Sequence, residues 1–268
     1  MSEPLFSLNK VCFSYPGKIP ALDNLTLSIN SGERIAVIGA NGTGKSTLLN
    51  MLDALLFPTA GSIQAVGITL TERAMNSIEQ QQSFRKKVGF IFQNPDIQLF
   101  CPTVKEDILF GVLQLGFSKD EIKTRFNNVV ERMKIGHLLE RSPHQLSIGE
   151  KKKAAIASVL IIEPDVLLLD EPTAGLDPQT TRDIIGILFD AHKKGKTIIM
   201  ATHDLHLVEE IADTIFVFGA NRTIIRSGPP LEILADQQFL QENNLLHIHV
   251  HRHLHMTHLH PHSHPVTD

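Results

Sequence analysis

The sequence contains no tryptophan, a single tyrosine (Tyr15) and two cysteines, Cys12 and Cys101, that lie far apart. Two distant cysteines make neither a disulfide framework nor a CxxC zinc site, so both are expected to be small buried hydrophobes in a reducing compartment. Long apolar runs are missing as well. The longest candidate, Ala154 to Ile162, stops at Glu163-Pro164, well short of the ~18 residues a membrane helix needs. Positive charge is not in excess, since the 268 residues carry a formal net charge of −4. A chain-wide basic footprint for nucleic acid is thereby excluded, and no nucleic-acid partner is expected. Met1-Ser2-Glu3-Pro4-Leu5 has neither a basic nor an apolar signal region, which predicts a chain that is not secreted. The 42% hydrophobic share still suffices for a good core, in one large domain or two lobes.

What is present is organised around residues 34 to 56. Arg34-Ile35-Ala36-Val37-Ile38 suits a buried strand, Gly39-Ala40-Asn41-Gly42-Thr43-Gly44-Lys45-Ser46-Thr47 follows, and Leu48, Leu49, Leu52, Leu55 and Leu56 mark a helix. Strand, G-x-x-x-x-G-K-S loop and helix stand in the order of a phosphate cradle. Gly39, Gly42 and Gly44 admit positive φ, so successive backbone N–H groups can turn toward an anion. The helix starting near Lys45 aims its positive end at the same place. Lys45 adds a mobile cation for the β- and γ-phosphates, and the Ser46 hydroxyl can ligate Mg²⁺.

Around this loop the chain alternates strands and helices. From Leu5 to Tyr15 and Leu25 to Ile29 apolar and polar residues alternate, with turns at Pro16-Gly17 and Ser31-Gly32, which predicts a small antiparallel sheet ahead of the loop. Tyr15 is a flat ring on which an adenine could stack, or a strand aromatic in the core. Val88 to Phe92, Val166 to Leu169 and Thr197 to Ala201 read as further buried strands, ending in Gln93, Asp170-Glu171 and His203. Ligands of α/β folds bind at the C-terminal ends of strands. Gln93 could there reach Mg²⁺ or the attacking water, and Asp170 could hold the Mg²⁺ that Ser46 also holds. Glu171 could accept a proton from that water, and His203 could hydrogen-bond the γ-phosphate.

Thr103-x-x-Glu106 and Ser118-x-x-Glu121 match capping boxes, and residues 94 to about 155 read as a helical lobe inserted into the α/β body. At its end Leu146-Ser147-Ile148-Gly149-Glu150 opens a helix whose first turn carries Lys151-Lys152-Lys153. The helix dipole disfavours cations there, so the run is expected to be a solvated basic face or to have an anion nearby. Asp177-Pro178 starts another helix, capped by Asp177.

These features, in this order, resemble the ATP-binding-cassette (ABC) ATPases over about residues 5 to 230. The resemblance implies an α/β P-loop NTPase (RecA-like) core with an N-terminal antiparallel β subdomain and an inserted α-helical subdomain. It places the cassette at residues 1–228, the insert at about 93–155 and a C-terminal extension at 229–268. Tyr15 matches the adenine-stacking position, Gly39 to Ser46 the Walker A loop, with Thr47 following, and Gln93 the Q-loop. Ser147 and Gly149 match the signature motif, Asp170 and Glu171 the Walker B pair, Asp177 the D-loop and His203 the switch histidine. In that family two cassettes sandwich two ATP, and each signature motif closes the other subunit's site.

Phe92-Gln93-Asn94-Pro95-Asp96-Ile97-Gln98-Leu99-Phe100, with Val104 to Gly111 after it, is similar to the energy-coupling-factor (ECF) importers, and the histidine-rich end to their cobalt/nickel branch. This resemblance implies an ATP-hydrolysing subunit on the cytoplasmic face of the cell membrane. Its partners would be a second ATPase, identical or different, a membrane coupling (T) subunit docked on residues 93 to 110, and a substrate-binding (S) subunit. An ECF importer of a vitamin, a cassette ATPase acting on DNA or in translation, and a cytosolic metal buffer are the alternatives. The family's L-S-G-G-Q is here Leu146-Ser147-Ile148-Gly149-Glu150. If position 148 needs positive φ, Ile148 would be strained, and an acid at 150 would repel phosphate, either of which would slow hydrolysis, while Ser147 and Gly149 keep the essential contacts.

Nine of the fourteen histidines fall between His247 and His264. From His247 to His255 they alternate with Ile248, Val250, Arg252 and Leu254, so an extended chain would put five imidazoles on one face. His249, His251, His253 and His255 are the candidate ligands, and imidazole suits Ni²⁺, Co²⁺ and Zn²⁺.

Overall fold

The computed structural model describes residues 3–253 and 256–262, with side chains described through Leu246. In chain order the first elements are β1 (Phe6–Tyr15), β2 (Ile19–Ile29), β3 (Arg34–Gly39), α1 (Lys45–Leu52), β4 (Ala60–Ala65), β5 (Ile68–Thr69), α2 (Glu72–Met75), α3 (Ile78–Lys87) and β6 (Val88–Ile91). Then follow α4 (Val104–Gln114), α5 (Lys119–Met133), α6 (Ile148–Leu160), β7 (Val166–Asp170), α7 (Pro178–Lys193), β8 (Thr197–Ala201), α8 (Leu205–Ile211), β9 (Thr214–Phe218) and β10 (Ile224–Gly228). The chain closes with α9 (Pro230–Leu234), α10 (Gln237–Glu242), β11 (His247–His253) and β12 (Met256–His262).

Six strands form the central sheet, in the order β10-β9-β3-β8-β7-β6. All pairs but β9 with β10 are parallel. The reason is visible in the strand sequences, which are apolar at consecutive positions and so can be buried on both faces. Ile35 and Val37 of β3 join one core cluster and Ala36 and Ile38 the other; Leu168 and Leu167 of β7 divide in the same way. One face is covered by the helical segments, through Ile108, Val129, Ile156 and Ile184. The other is covered by α1 and a four-stranded antiparallel sheet, β2-β1-β4-β5, through Leu48, Leu52, Phe6 and Leu25. The fold is thus a mixed α/β core with an antiparallel β layer and added helices.

Two local readings need correction. α1 ends at Leu52, before Leu55 and Leu56, because Ala54 turns left-handed at φ 55° and leaves Leu55 45% exposed. Leu55 N–H bonds back to the Asn50 carbonyl at 2.8 Å, closing the helix end. Cys12 and Cys101 are free thiols of intermediate exposure rather than buried hydrophobes. Among the described residues no helix is long and apolar enough to cross a membrane. The histidines of β11 and β12 meet in register, His247 with His262, His249 with His260 and His251 with His258. His255 lies outside the described residues, as do the side chains of His249, His251 and His253.

Candidate functional site

The parallel strands β3, β6, β7 and β8 bring their C-terminal ends to one edge of the sheet. The loop 39–47 leaves β3, Gln93 lies two residues beyond β6, Asp170 ends β7 with Glu171 next, and His203 lies two residues beyond β8. A cavity of about 730 Å³ takes in Tyr15, the loop residues Gly39, Ala40, Asn41, Gly42, Gly44, Lys45, Ser46 and Thr47, and the tip residues Gln93, Asp170, Glu171 and His203. Thr43 lies beneath it, 6% exposed, its hydroxyl donating to the Ala40 carbonyl at 2.8 Å.

The loop's shape follows from its glycines. Gly44 stands at φ 111°, and a Cβ there would lie 2.4 Å from the Ala21 carbonyl, so only glycine fits. Gly39 differs from expectation, because its φ is not positive. Its need is space: a Cβ would lie 2.7 Å from Thr43 Oγ1 and 2.9 Å from the Phe218 carbonyl. Lys45 Nζ donates to the Gly39 and Ala40 carbonyls at 2.7 and 3.1 Å. Burial holds its pKa down, opposed by the charges of Glu171 and Asp170. Tyr15 ends β1 with its ring edge-on to Phe13 at 4.9 Å and its hydroxyl 3.1 Å from Thr47 Oγ1.

The acidic pair is held asymmetrically. Burial raises the pKa of Asp170, with the Ser46 hydroxyl opposing and the charge of Glu171 adding to the rise. Asp170, Ser46 and the Gln93 amide offer hard oxygen donors in one cavity, a set that fits Mg²⁺. In Glu171 both carboxylate oxygens are engaged: Oε1 lies 2.7 Å from His203 Nδ1, and Oε2 accepts from Thr202 Oγ1 at 3.1 Å. The Glu171 contact raises the His203 pKa, against a smaller burial effect. Glu171 itself sits at φ 44°, a left-handed backbone, with its N–H bonded to the Ala201 carbonyl at 2.9 Å. His203 is therefore tied to the candidate base.

Ser147, Gly149 and Asp177 do not line this cavity. They form a second cluster of their own. Ser147 caps α6 in a full capping box with Glu150, and Asp177 caps α7 by accepting the Gln179 and Thr180 N–H groups at 2.9 and 3.0 Å. A Cβ on Gly149 would stand 3.3 Å from Thr180 Oγ1 and 3.8 Å from Asp177 Oδ2, which brings the two helix starts together.

Here the expected strain is absent. Ile148 is the first residue of α6, has no positive φ and is 57% exposed. Glu150 turns back to accept the Ser147 N–H at 2.8 Å, which lowers its pKa. Ile148→Gly is accordingly expected to change turnover by less than about threefold and to cost up to ~1 kcal/mol of stability. Steady-state ATPase assays check this, and a tenfold acceleration would restore the strain explanation.

The lysine run is not a solvated face; two of its members have a carboxylate anion nearby and the third is buried. Lys151 pairs with Asp96 and Lys153 with Asp183, each at 2.7 Å. Lys152 is 2% exposed and donates to the Phe92 and Gln93 carbonyls at 2.9 and 3.0 Å, tying α6 to the end of β6. Sequence reasoning missed this role, and it missed Thr202 beneath Glu171, and Arg222, Asn244 and Leu245 at the cavity. Only Thr202, beside His203, carried a positional signal.

The family described as ABC transporter matches residues 22–174. The nickel import ATP-binding protein NikO of Rhodobacter capsulatus is 48% identical over 246 residues, covering 91% of this chain and 96% of that protein. The energy-coupling factor transporter ATP-binding protein EcfA of Methanothermobacter thermautotrophicus is 41% identical over 241 residues, covering 90% of this chain and 76% of that one. The structure of CbiO1 from Clostridium perfringens, part of the ABC transporter complex CbiONQ, superposes with a TM-score of 0.76 at 36% identity, covering 91% and 96% of the two chains. A phosphate loop and three further strand tips sharing one cavity, in a chain so closely matched to these relatives, place the protein in the ABC transporter family as one of its ATP-hydrolysing subunits.

Proposed function

We propose that this subunit powers an energy-coupling-factor importer for nickel or cobalt ions from the cytoplasmic face of the cell membrane. The observation that carries the transport role is an apolar patch next to the Gln93 loop. Ile97, Phe100, Phe110 and Leu113 are 66%, 64%, 42% and 65% exposed, and the Phe100 and Phe110 rings stack edge to face at 4.8 Å. Such a patch suits a membrane coupling subunit, which a substrate-binding subunit would accompany. The metal assignment is supported by the likeness to the nickel import protein NikO and by the histidine pairing of β11 with β12.

In this reading ATP lies on residues 39–47 with its base on Tyr15. Ser46, Asp170 and Gln93 hold Mg²⁺, which supplies charge neutralisation at the phosphates. Glu171, oriented by Thr202 and His203, takes the proton of the attacking water, and Lys45 binds the phosphates. Ser147 and Gly149, exposed or half-buried and away from this chain's own cavity, complete the site of a second cassette, with Asp177 beside them. Residues 229–268 form an extension to the cassette, and its histidines, His249, His251, His253 and His255 among them, bind Ni²⁺, Co²⁺ or Zn²⁺.

Reconstitution with candidate membrane subunits, comparing uptake of Ni²⁺, Co²⁺ and vitamins, tests this. ATP-driven metal uptake is expected, with Ni²⁺ titration showing fewer sites on a chain ending at Leu246. Vitamin uptake alone would replace the metal assignment, DNA-stimulated turnover without uptake would replace transport, and equal Ni²⁺ binding by both chains would remove the tail.

A further inference from the structure

The nucleotide cavity has a wall that no cassette motif supplies. Arg222, Asn244 and Leu245 line it together with Tyr15 and Ala21. Arg222 sits in the turn between β9 and β10 at φ 62°, and its carbonyl accepts the Asp23 N–H at 3.1 Å. That bond pins the turn against β2 two residues past Ala21, whose carbonyl abuts Gly44. Asn244 follows α10 at φ 55°, with its N–H bonded to the Gln241 carbonyl at 3.0 Å and the Leu245 N–H to the Leu240 carbonyl at 2.8 Å. The segment is braced. Leu245 packs on the core, and Arg226 of β10 pairs with Asp236, the cap of α10, at 2.7 Å while lying over the Phe239 ring.

Among the described residues, neither the Arg222 guanidinium nor the Asn244 amide has a hydrogen-bond or ion-pair partner, although both border the cavity. An amide offers the donor and acceptor that a purine edge or a ribose hydroxyl requires, and a guanidinium stacks on a base or bonds an α-phosphate oxygen. We propose that Arg222, in the β9–β10 turn, and Asn244, in the C-terminal extension, bind the base and sugar end of a purine nucleotide, so that this turn and the extension together wall the ATP site. This rests on the nucleotide reading of the cavity.

The full-length chain with Mg²⁺ is titrated calorimetrically with ATP and with ADP. Arg222→Ala combined with Asn244→Ala is expected to weaken both nucleotides by about tenfold, the loss of one or two net hydrogen bonds. The equality matters, because groups at the base end act alike on both nucleotides, whereas a contact to the γ-phosphate would weaken ATP alone. Asn244→Asp, which keeps the shape and removes the donor, is expected to weaken both as well, guarding against a folding defect in the double variant. Wild-type affinity in all these variants, or a loss confined to ATP, would overturn the wall. Lys45→Ala separates the two readings. If it binds ATP normally the cavity reading itself fails; if it is weakened while the wall variants are not, only the wall fails.

Discussion

Glu171→Gln is expected to bind ATP as the wild type does and to hydrolyse it about 10²- to 10⁴-fold more slowly, the range that one general base supplies. The amide keeps the size of the side chain and can still accept from Thr202 Oγ1, which lies 3.1 Å from Oε2 in the wild type. What it cannot do is take a proton. The loss should therefore fall on kcat, with KM for ATP little changed, as for an interaction made only in the transition state. Turnover at the wild-type rate would sink the assignment of Glu171 as base, whatever became of affinity. His203 shares this prediction, because its ring nitrogen lies 2.7 Å from Glu171 Oε1 and its pKa is raised chiefly by that contact.

The second large effect is expected at Lys152. Lys152→Met preserves most of the buried volume but strands the Phe92 and Gln93 carbonyls, which the ammonium now satisfies at 2.9 and 3.0 Å. The two carbonyls are only partly buried, and leaving such acceptors unmade costs the lower part of ~1–3 kcal/mol, so a loss of about 1 kcal/mol is expected in denaturant unfolding. Hydrolysis should fall too, since Gln93 loses the contact that fixes its main chain to α6. The pH dependence identifies the cause. Burial pushes the Lys152 pKa from 10.5 down to about 8, against the attraction of Asp170 and Glu171. Between those values the folded chain binds fewer protons than the unfolded one, so stability rises with pH across the window. The contribution is full above 10.5 and lost as pH falls through about 8. The gap between wild type and Lys152→Met should widen from pH 7.5 to 9.5; a constant gap would mean that packing, not the ammonium, is at work.

The phosphate loop and the strand tips were legible because their signals are local. Continuous apolar runs such as Val166 to Leu169 mark buried parallel strands, and the residues just past them must then share one edge. Lys152 was illegible for the opposite reason. Its partners lie 60 and 59 residues away, and a triple lysine at a helix start reads locally as a surface feature. Arg222 and Asn244 carry no motif; the β9–β10 turn, tied to β2 through the Asp23 N–H, brings the first to the cavity, and the folding of the extension beside β10 brings the second. Ile148 shows the converse error, in which a glycine in a motif is taken as a demand for left-handed backbone. The Ser147–Glu150 capping box instead sets that position at an ordinary helix start.

Glu171 has the backbone that Ile148 was expected to have. At φ 44° it occupies a conformation suited to glycine or asparagine. Holding a long side chain there costs on the order of 1–3 kcal/mol. A sequence optimised for stability alone would put glycine at this position, and under the proposed role of Glu171 as base its presence is a trade of robustness for chemistry. The same feature limits how the pair can evolve. Asp170 is in regular strand geometry and Glu171 is not, so the two neighbouring acids are not interchangeable, and exchanging them would lose both the proposed metal ligand and the proposed base without altering the composition of the site.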